Sequence, residues 1–583
     1  MSIPVTTAGA PAWSLERWLP AFAFLFAAFL LFVHLGDAPL LSPDEGRNAE
    51  VAREMRESGA WLVPTYDGLT YLDKPAFYFK TVALSFALFG ESEAVARLSS
   101  ALFALSLLTV LFLFCRRVYD MRTASLAVLV VVATPLYWAF ARIVIFDMTL
   151  AFFVCSAIFA CYLAEEHEGR QRERWYRLGA LAAGFATLVK GPVGFIVPSL
   201  VVAAFGKLDG REGALRRCFA WQNWLIFLAV VLPWFVGVTL QCPDFPYYGI
   251  MKESVSRFTT TEFRRTQPFY FYAVIIASCF FAWSLLLPES IVAAWRARRR
   301  WSRPDRLFIV WAVVVVAFFS VSQSKLPGYI LTAVIALGVL AARVFALAWS
   351  NGAGRAAAIV RRGTVALFAL AAPVAVVLAT AASDALWLER VLGLKRKTAE
   401  FLQPGLLAMV VSLGVVTALT AFAWRRCNVK VAFAAFLSFP ALLITLNFDL
   451  LADYADSRSG RRLAEHMPEL PAGVEIACLD CLPNGLPFYL KRLITVISDE
   501  GREFTSNYVL FSLQRGGPWP ERVVPLAQRD AWLAGRDHPV FLMARGDDVE
   551  QLDTIAEKYG ASQIELGFGY WGALLAPPQK EGL

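Results

Sequence analysis

Long apolar stretches recur along the first three quarters of this chain, and they constrain its fold more than any other feature. A helix needs about 20 apolar residues to cross a bilayer. Within the hydrocarbon, its backbone N–H and C=O groups must be satisfied inside the segment. Stretches near 18–35, 97–115, 124–140, 146–164, 178–190, 193–206, 221–240, 269–288, 307–321, 327–348, 364–382, 404–424 and 431–449 meet that need, the shorter ones with help from interfacial flanks. The expected fold is a polytopic α-helical membrane protein with about 13 transmembrane helices. Of the 583 residues, 58% are hydrophobic and only 17% are charged. That balance excludes a disordered chain, a coiled coil and an ordinary cytosolic enzyme. The first stretch is followed by Gly36-Asp37-Ala38-Pro39 and no small-residue cleavage site, so it reads as a retained span.

Charge sets the orientation. The short run 77–90 opens with Phe77, Tyr78 and Lys80 and reads as an interfacial helix. With the N-terminus inside, the arginine-rich loops near 116–122, 170–177, 207–217, 296–306, 343–362 and 425–430 then all face the cytoplasm. The net charge of +8 follows from this topology, and no basic, aromatic-interleaved stretch points to nucleic acid. The expected domains are a membrane domain over 1–450 and an outward α/β domain over 451–583. Within the first, 36–96 forms an outer loop with interfacial helices, and 241–268 forms a loop over the site. The tail shows strand-like runs at Val474–Leu479, Leu493–Ile497, Val540–Met543 and Ile564–Phe568, with a helical run Asp548–Tyr559 between the last two. Its Cys478 and Cys481 form a lone C-x-x-C without further zinc ligands nearby. A disulfide, or no special role, is expected.

Ionisable groups at membrane depth are costly and tend to mark function. Asp44, Glu45, Arg47, Tyr71, Lys74, Asp147, Lys190, Arg257, Lys325 and Tyr329 lie on separate segments, yet the topology brings all of them to the outer interface. Ser42-Pro43-Asp44-Glu45 opens a helix, with Ser42 as N-cap, Pro43 in the first turn and Glu45 at the capping-box position. Helix capping thus accounts for Glu45 but not for Asp44, which shares a face with Arg47. Pro75 holds Lys74 extended. Asp147 has apolar neighbours, which argues for burial. Lys190 before Gly191 also fits a helix C-cap. Lys325 and Tyr329 begin a later span, and Arg257 lies in the outer loop. Together these residues describe an outward-facing cavity with several cations and at least two carboxylates. Such cations suit phosphate, Arg as a planar fork and Lys as a point charge.

The runs Asp44-Glu45-x-Arg47-x-Ala49-Glu50, Asp73-Lys74-Pro75, Phe146-Asp147-Met148, Lys190-Gly191 and Ser324-Lys325-Leu326-Pro327-x-Tyr329 resemble the GT-C membrane glycosyltransferases related to protein O-mannosyltransferases. Within that group the bacterial lipid A aminoarabinose transferases are the nearest likeness, up to about residue 450. The resemblance implies transfer of 4-amino-4-deoxy-L-arabinose from undecaprenyl phosphate to lipid A phosphates, at the periplasmic face of a bacterial inner membrane. It implies Asp44 and Asp147 as the key carboxylates, with Arg47, Tyr71, Lys74, Lys190 and Tyr329 lining the site. Three positions depart from the pattern. Asp73 stands where Glu is usual, Glu253-Ser254 where Glu-His is usual, and Arg265-Thr266-Gln267-Pro268 lacks a His before the Pro. These changes remove groups that could hold a divalent metal or touch the sugar, so a metal stays open and no other cofactor is expected.

On this reading Lys74 and Arg47 hold the departing phosphate, with Lys190 and Lys325 behind them. Asp44 orients the acceptor or the sugar, or acts as base if the acceptor is a hydroxyl. Asp147 positions the sugar or partners a cation. Direct displacement would invert the anomeric carbon. A different polyprenyl-linked sugar, or a protein or glycan acceptor, remains an alternative. A transporter fits less well, because the charges gather at helix ends on one side rather than at the midplane. A scaffold leaves Asp147 unexplained.

Overall fold

The computed structural model describes residues 15–211, 213–298, 301–383, 396–516 and 519–577. The first 14 residues, expected in the cytoplasm, and residues 299–300 of one basic loop lie outside them. Helices fall on every stretch expected to span the membrane. By length and composition, 7 straight helices can cross a bilayer, or up to 10 among the described residues if each of three bent pairs is one span. The protein is therefore polytopic and helical, while the figure of 13 is not reached on that measure.

The first of these bends has a local cause. The stretch 124–140 divides into Met121–Val132 and Pro135–Ala141, which meet at 70°. Pro135 has no N–H to donate and disfavours helical angles at Thr134, so one helix stops and the next starts on the proline. The stretch 269–288 also divides, into Phe271–Cys279 and Trp283–Arg296, at 112°. Asp147–Ala164 lies at the centre of the bundle, with 78% of its apolar window buried. Trp221–Gln241 lies at the edge, with only 17% buried, and presents its apolar surface to lipid. The helix Phe77–Phe89 buries Tyr78, Phe79, Val82 and Phe86 against Asp44–Ser58 and Glu93–Val118.

Just before it, β1 (Thr65–Tyr66) and β2 (Leu69–Thr70) form a small antiparallel hairpin. The tail holds a six-stranded sheet of β3 (Glu475–Leu479), β4 (Thr495–Ser498), β5 (Val523–Pro525), β6 (Val540–Arg545), β7 (Gln563–Gly567) and β8 (Tyr570–Leu575). Its order is β5-β4-β3-β6-β8-β7. The first four strands in that order run parallel, and β8 and β7 add an antiparallel edge. The sequence reading contains neither β5 nor β8. β5 has three residues, and β8 carries Gly572 amid its apolar positions.

Alternation along β3 decides how the tail docks. Ile476 and Cys478 join a core with Tyr66, Phe79 and Phe86 of the segment 36–96. Ala477 and Leu479 face the helix Val549–Lys558 through Leu552 and Ile555. One sheet face is thus fused to the membrane domain. Cys478 and Cys481 are buried free thiols.

Candidate active site

Lys74 follows β2 on an irregular segment ending at Pro75. Its Nζ donates to the Asp73 carbonyl at 2.6 Å and pairs with the Glu253 carboxylate. Glu253 sits on the wide π-helical turn Tyr247–Ser256 and accepts from Arg257 Nη2 at 2.9 Å, one turn on. Asp147 is the first residue of its helix and accepts from Lys190 Nζ at 2.5 Å. Lys190 is the last residue of the helix Gly169–Lys190. Each charge complements the dipole of its own helix end. The Lys190 ammonium lies 4.8 Å from the Phe146 ring centre and 5.0 Å from that of Tyr329. Lys74 lies 5.7 Å from the same Phe146 ring. Gly328 lets this assembly close, since a Cβ there would come within 3.0 Å of Asp147 Oδ1 and 2.6 Å of the Phe140 ring.

These groups share one cavity of about 420 Å³. Lys74, Asp147, Lys190, Glu253, Arg257 and Tyr329 lie in its polar lining with Ser254, Thr259, Ser322 and Thr332, while Leu150, Val154, Val193, Val197, Phe318, Phe319 and Leu331 are among its apolar lining. Ile196, Ile250 and Val255 reach from its wall to the outside of the molecule. Burial lowers the Lys74 pKa, the nearby Arg257 adds to the effect, and Glu253 opposes it. At Arg257 burial acts in the same sense, but Glu253 and Tyr329 outweigh it and hold the guanidinium firmly charged.

Asp44, Arg47 and Tyr71 lie outside the lining of this cavity. They form a neighbouring cluster. Arg47 Nη2 donates to Asp44 at 2.5 Å, and its guanidinium lies 5.7 Å from the Tyr71 ring centre. Lys325 is not brought to the cavity either. Its Nζ donates to the Ser322 carbonyl at 2.7 Å, and its own N–H donates to the Arg265 carbonyl at 3.0 Å, so it ties its loop together.

Capping also differs from the expectation. Pro43, not Ser42, occupies the N-cap position, without a side-chain bond. Glu45 is structural, but through other partners. It accepts from Arg97 Nε and Nη2, each at 2.8 Å, and from the Leu41 and Val144 N–H groups, each at 3.0 Å.

Two residues gain roles that the sequence reading did not assign. Glu253 was noted there only beside Ser254, in the outer loop that carries Arg257, with no role assigned. Asp73 was noted only as part of the lysine motif and as a departure from the usual Glu, with no role assigned. It accepts from Tyr248 Oη at 2.9 Å, Ser506 Oγ at 3.1 Å, and the N–H groups of Asn507 and Tyr508 at 2.9 and 2.7 Å. It thereby caps the helix Asn507–Gln514 of the tail and fixes the backbone that carries Lys74. A metal does not fit these residues. Asp73 and Glu253 are engaged as described, Ser254 Oγ donates to the Gly249 carbonyl at 2.8 Å, and the described residues contain no group of three metal ligands.

Comparisons with known proteins agree with this geometry. Residues 73–236 match the family model described as dolichyl-phosphate-mannose-protein mannosyltransferase. The chain is 28% identical over 476 residues to the undecaprenyl phosphate-alpha-4-amino-4-deoxy-L-arabinose arabinosyl transferase of Shewanella sediminis, covering 80% of this chain and 84% of the other. It is 31% identical over 337 residues to a transferase of the same name, numbered 2, from Pseudomonas fluorescens, spanning 56% of each chain. The crystal structure of ArnT from Cupriavidus metallidurans bound to undecaprenyl phosphate superposes with a TM-score of 0.79 at 24% identity, over 97% of this chain and 100% of that one. The resemblance carried by the five motifs is borne out: this is a polytopic helical membrane protein with the fold of that structure, similar along most of its length to the bacterial aminoarabinose transferases.

Proposed function

We propose that the protein is an inverting glycosyltransferase that moves 4-amino-4-deoxy-L-arabinose from undecaprenyl phosphate to a lipid A phosphate. The reaction takes place at the periplasmic face of a bacterial inner membrane, with the N-terminus in the cytoplasm and residues 451–583 outside. The observation that carries this reading is the amphipathic cavity, with Lys74, Lys190 and Arg257 at its polar end and an apolar wall beyond. A polyprenyl phosphate has the same two-part character. The names of the relatives support the same donor.

The three cations neutralise the phosphate as the glycosidic C–O bond breaks and charge gathers on the leaving oxygen. Asp147 and Glu253 hold the Lys and Arg side chains in place before the donor arrives. A lipid A phosphate is already anionic, so the attack needs alignment more than a base. Asp44, with its side chain 58% exposed beside Arg47, supplies that alignment from the adjacent cluster. Attack from the face opposite the phosphate inverts C1.

The test is incubation of the purified protein in lipid nanodiscs with undecaprenyl-phosphate-aminoarabinose and lipid A, read by mass spectrometry. Lipid A gaining the mass of one aminoarabinose is the expected result, and unmodified lipid A overturns the reading. The departures at Asp73 and Ser254 favour a second reading, a different polyprenyl-linked sugar or a protein or glycan acceptor. The envelope glycans and proteins of a deletion strain would then lose that sugar.

A further inference from the structure

One buried cation has no place in the phosphate site. Arg47 is only 8% exposed, yet it does not line the cavity. Its Nη2 is engaged by Asp44. Its Nη1 reaches the tail, donating to the Thr505 carbonyl at 2.9 Å and to Thr505 Oγ1 at 2.6 Å. Thr505 lies between β4 and the helix Asn507–Gln514, in left-handed backbone with φ of 50° and ψ of 23°. A β-branched residue rarely adopts those angles. Thr505 is exposed, so packing of its side chain does not impose them.

Its neighbours impose them. The Thr505 N–H donates to the Arg502 carbonyl at 3.0 Å, and the next residue, Ser506, is held by Asp73. Two consecutive residues of the tail therefore grip two elements of the membrane domain, the one bearing Asp44 and the one bearing Lys74. Unfavourable backbone angles that the surroundings enforce concentrate at functional positions.

We infer that Thr505 is a positioning residue for the transfer reaction. It fixes the Arg47 guanidinium, which aims the Asp44 carboxylate at the acceptor, so that the tail completes the site. The inference rests on the acceptor role proposed above for Asp44. An exposed carboxylate paired with a free arginine would keep much of its mobility. Anchoring the far side of the guanidinium through two charge-assisted bonds removes that freedom.

The test uses the full-length protein. Thr505→Ala removes the hydroxyl, and Thr505→Ser keeps it. Thr505→Ala lowers kcat by about tenfold, the scale of one hydrogen bond to a charged group. It leaves the Kd for undecaprenyl phosphate unchanged, and Thr505→Ser restores the rate. In an Arg47→Gln background Thr505→Ala adds no further loss of kcat or of Tm. Wild-type turnover in Thr505→Ala, equal damage in Thr505→Ser, or additive losses in the double variant would each overturn the inference. The Tm arm needs no turnover. Coupled Tm losses uphold the Thr505–Arg47 clamp even if the wild-type protein moves another sugar, so failure of the functional reading stays distinct from failure of the clamp.

Discussion

Lys74 is where chemistry and environment meet most closely. Its ammonium must be charged to hold a phosphate, yet burial lowers its pKa. Activity is therefore expected to fall on the alkaline side before an ordinary lysine at 10.5 would titrate. Lys74→Arg should move that limb upward, because a guanidinium stays charged. A pH profile of kcat/KM in which both proteins lose activity together would refute this. Lys74→Ala should lower kcat/KM by about 100-fold or more, the scale of a lost electrostatic contact in a sheltered site. Most of the residues now found around the cavity were legible, because Lys74, Asp147 and Lys190 are charged residues set among apolar neighbours. Glu253 was not, since nothing in a loop sequence shows which cation will fold back onto an acid. Lys325 looked like its equal in sequence and differs because its Nζ finds a carbonyl within its own loop.

At the scale of elements, the helix Asp44–Ser58 depends on buried charge. Glu45 and Arg97 are each under 6% exposed at the side chain and bond to each other and to nearby backbone. Glu45→Ala leaves that arginine without a counter-charge and is expected to cost about 3–5 kcal/mol, measured by thermal unfolding in detergent. A loss below about 1 kcal/mol would place the pair among ordinary surface bridges. On the same helix, burial pushes the Glu50 carboxyl up to about 7, with Arg53 opposing and Glu54 adding. The folded value lies above the ordinary 4.5, so this group's contribution to stability is complete below pH 4.5 and is lost as pH rises through 7. Glu50→Gln should flatten that slope in Tm between pH 5 and about 7.5. Helix positions were readable from apolar runs alone, whereas the 112° bend after Cys279 was not. An apolar run records how much surface must be hidden but not whether the segment stays straight.

For the whole molecule, the membrane bundle and the tail act as one body because a single apolar core crosses between them. The alternation of β3 was readable as a strand, but its partner face on the segment 36–96 was not. That segment is some 400 residues distant, and no local pattern encodes the pairing. The apolar wall of the cavity continues to Ile196, Ile250 and Val255 on the outer surface of the molecule. A lipid-borne donor can therefore enter sideways, without leaving the bilayer. Turnover should then obey two-dimensional kinetics. Diluting the donor with inert phospholipid at constant molarity will slow the reaction, whereas diluting the whole suspension with buffer will not.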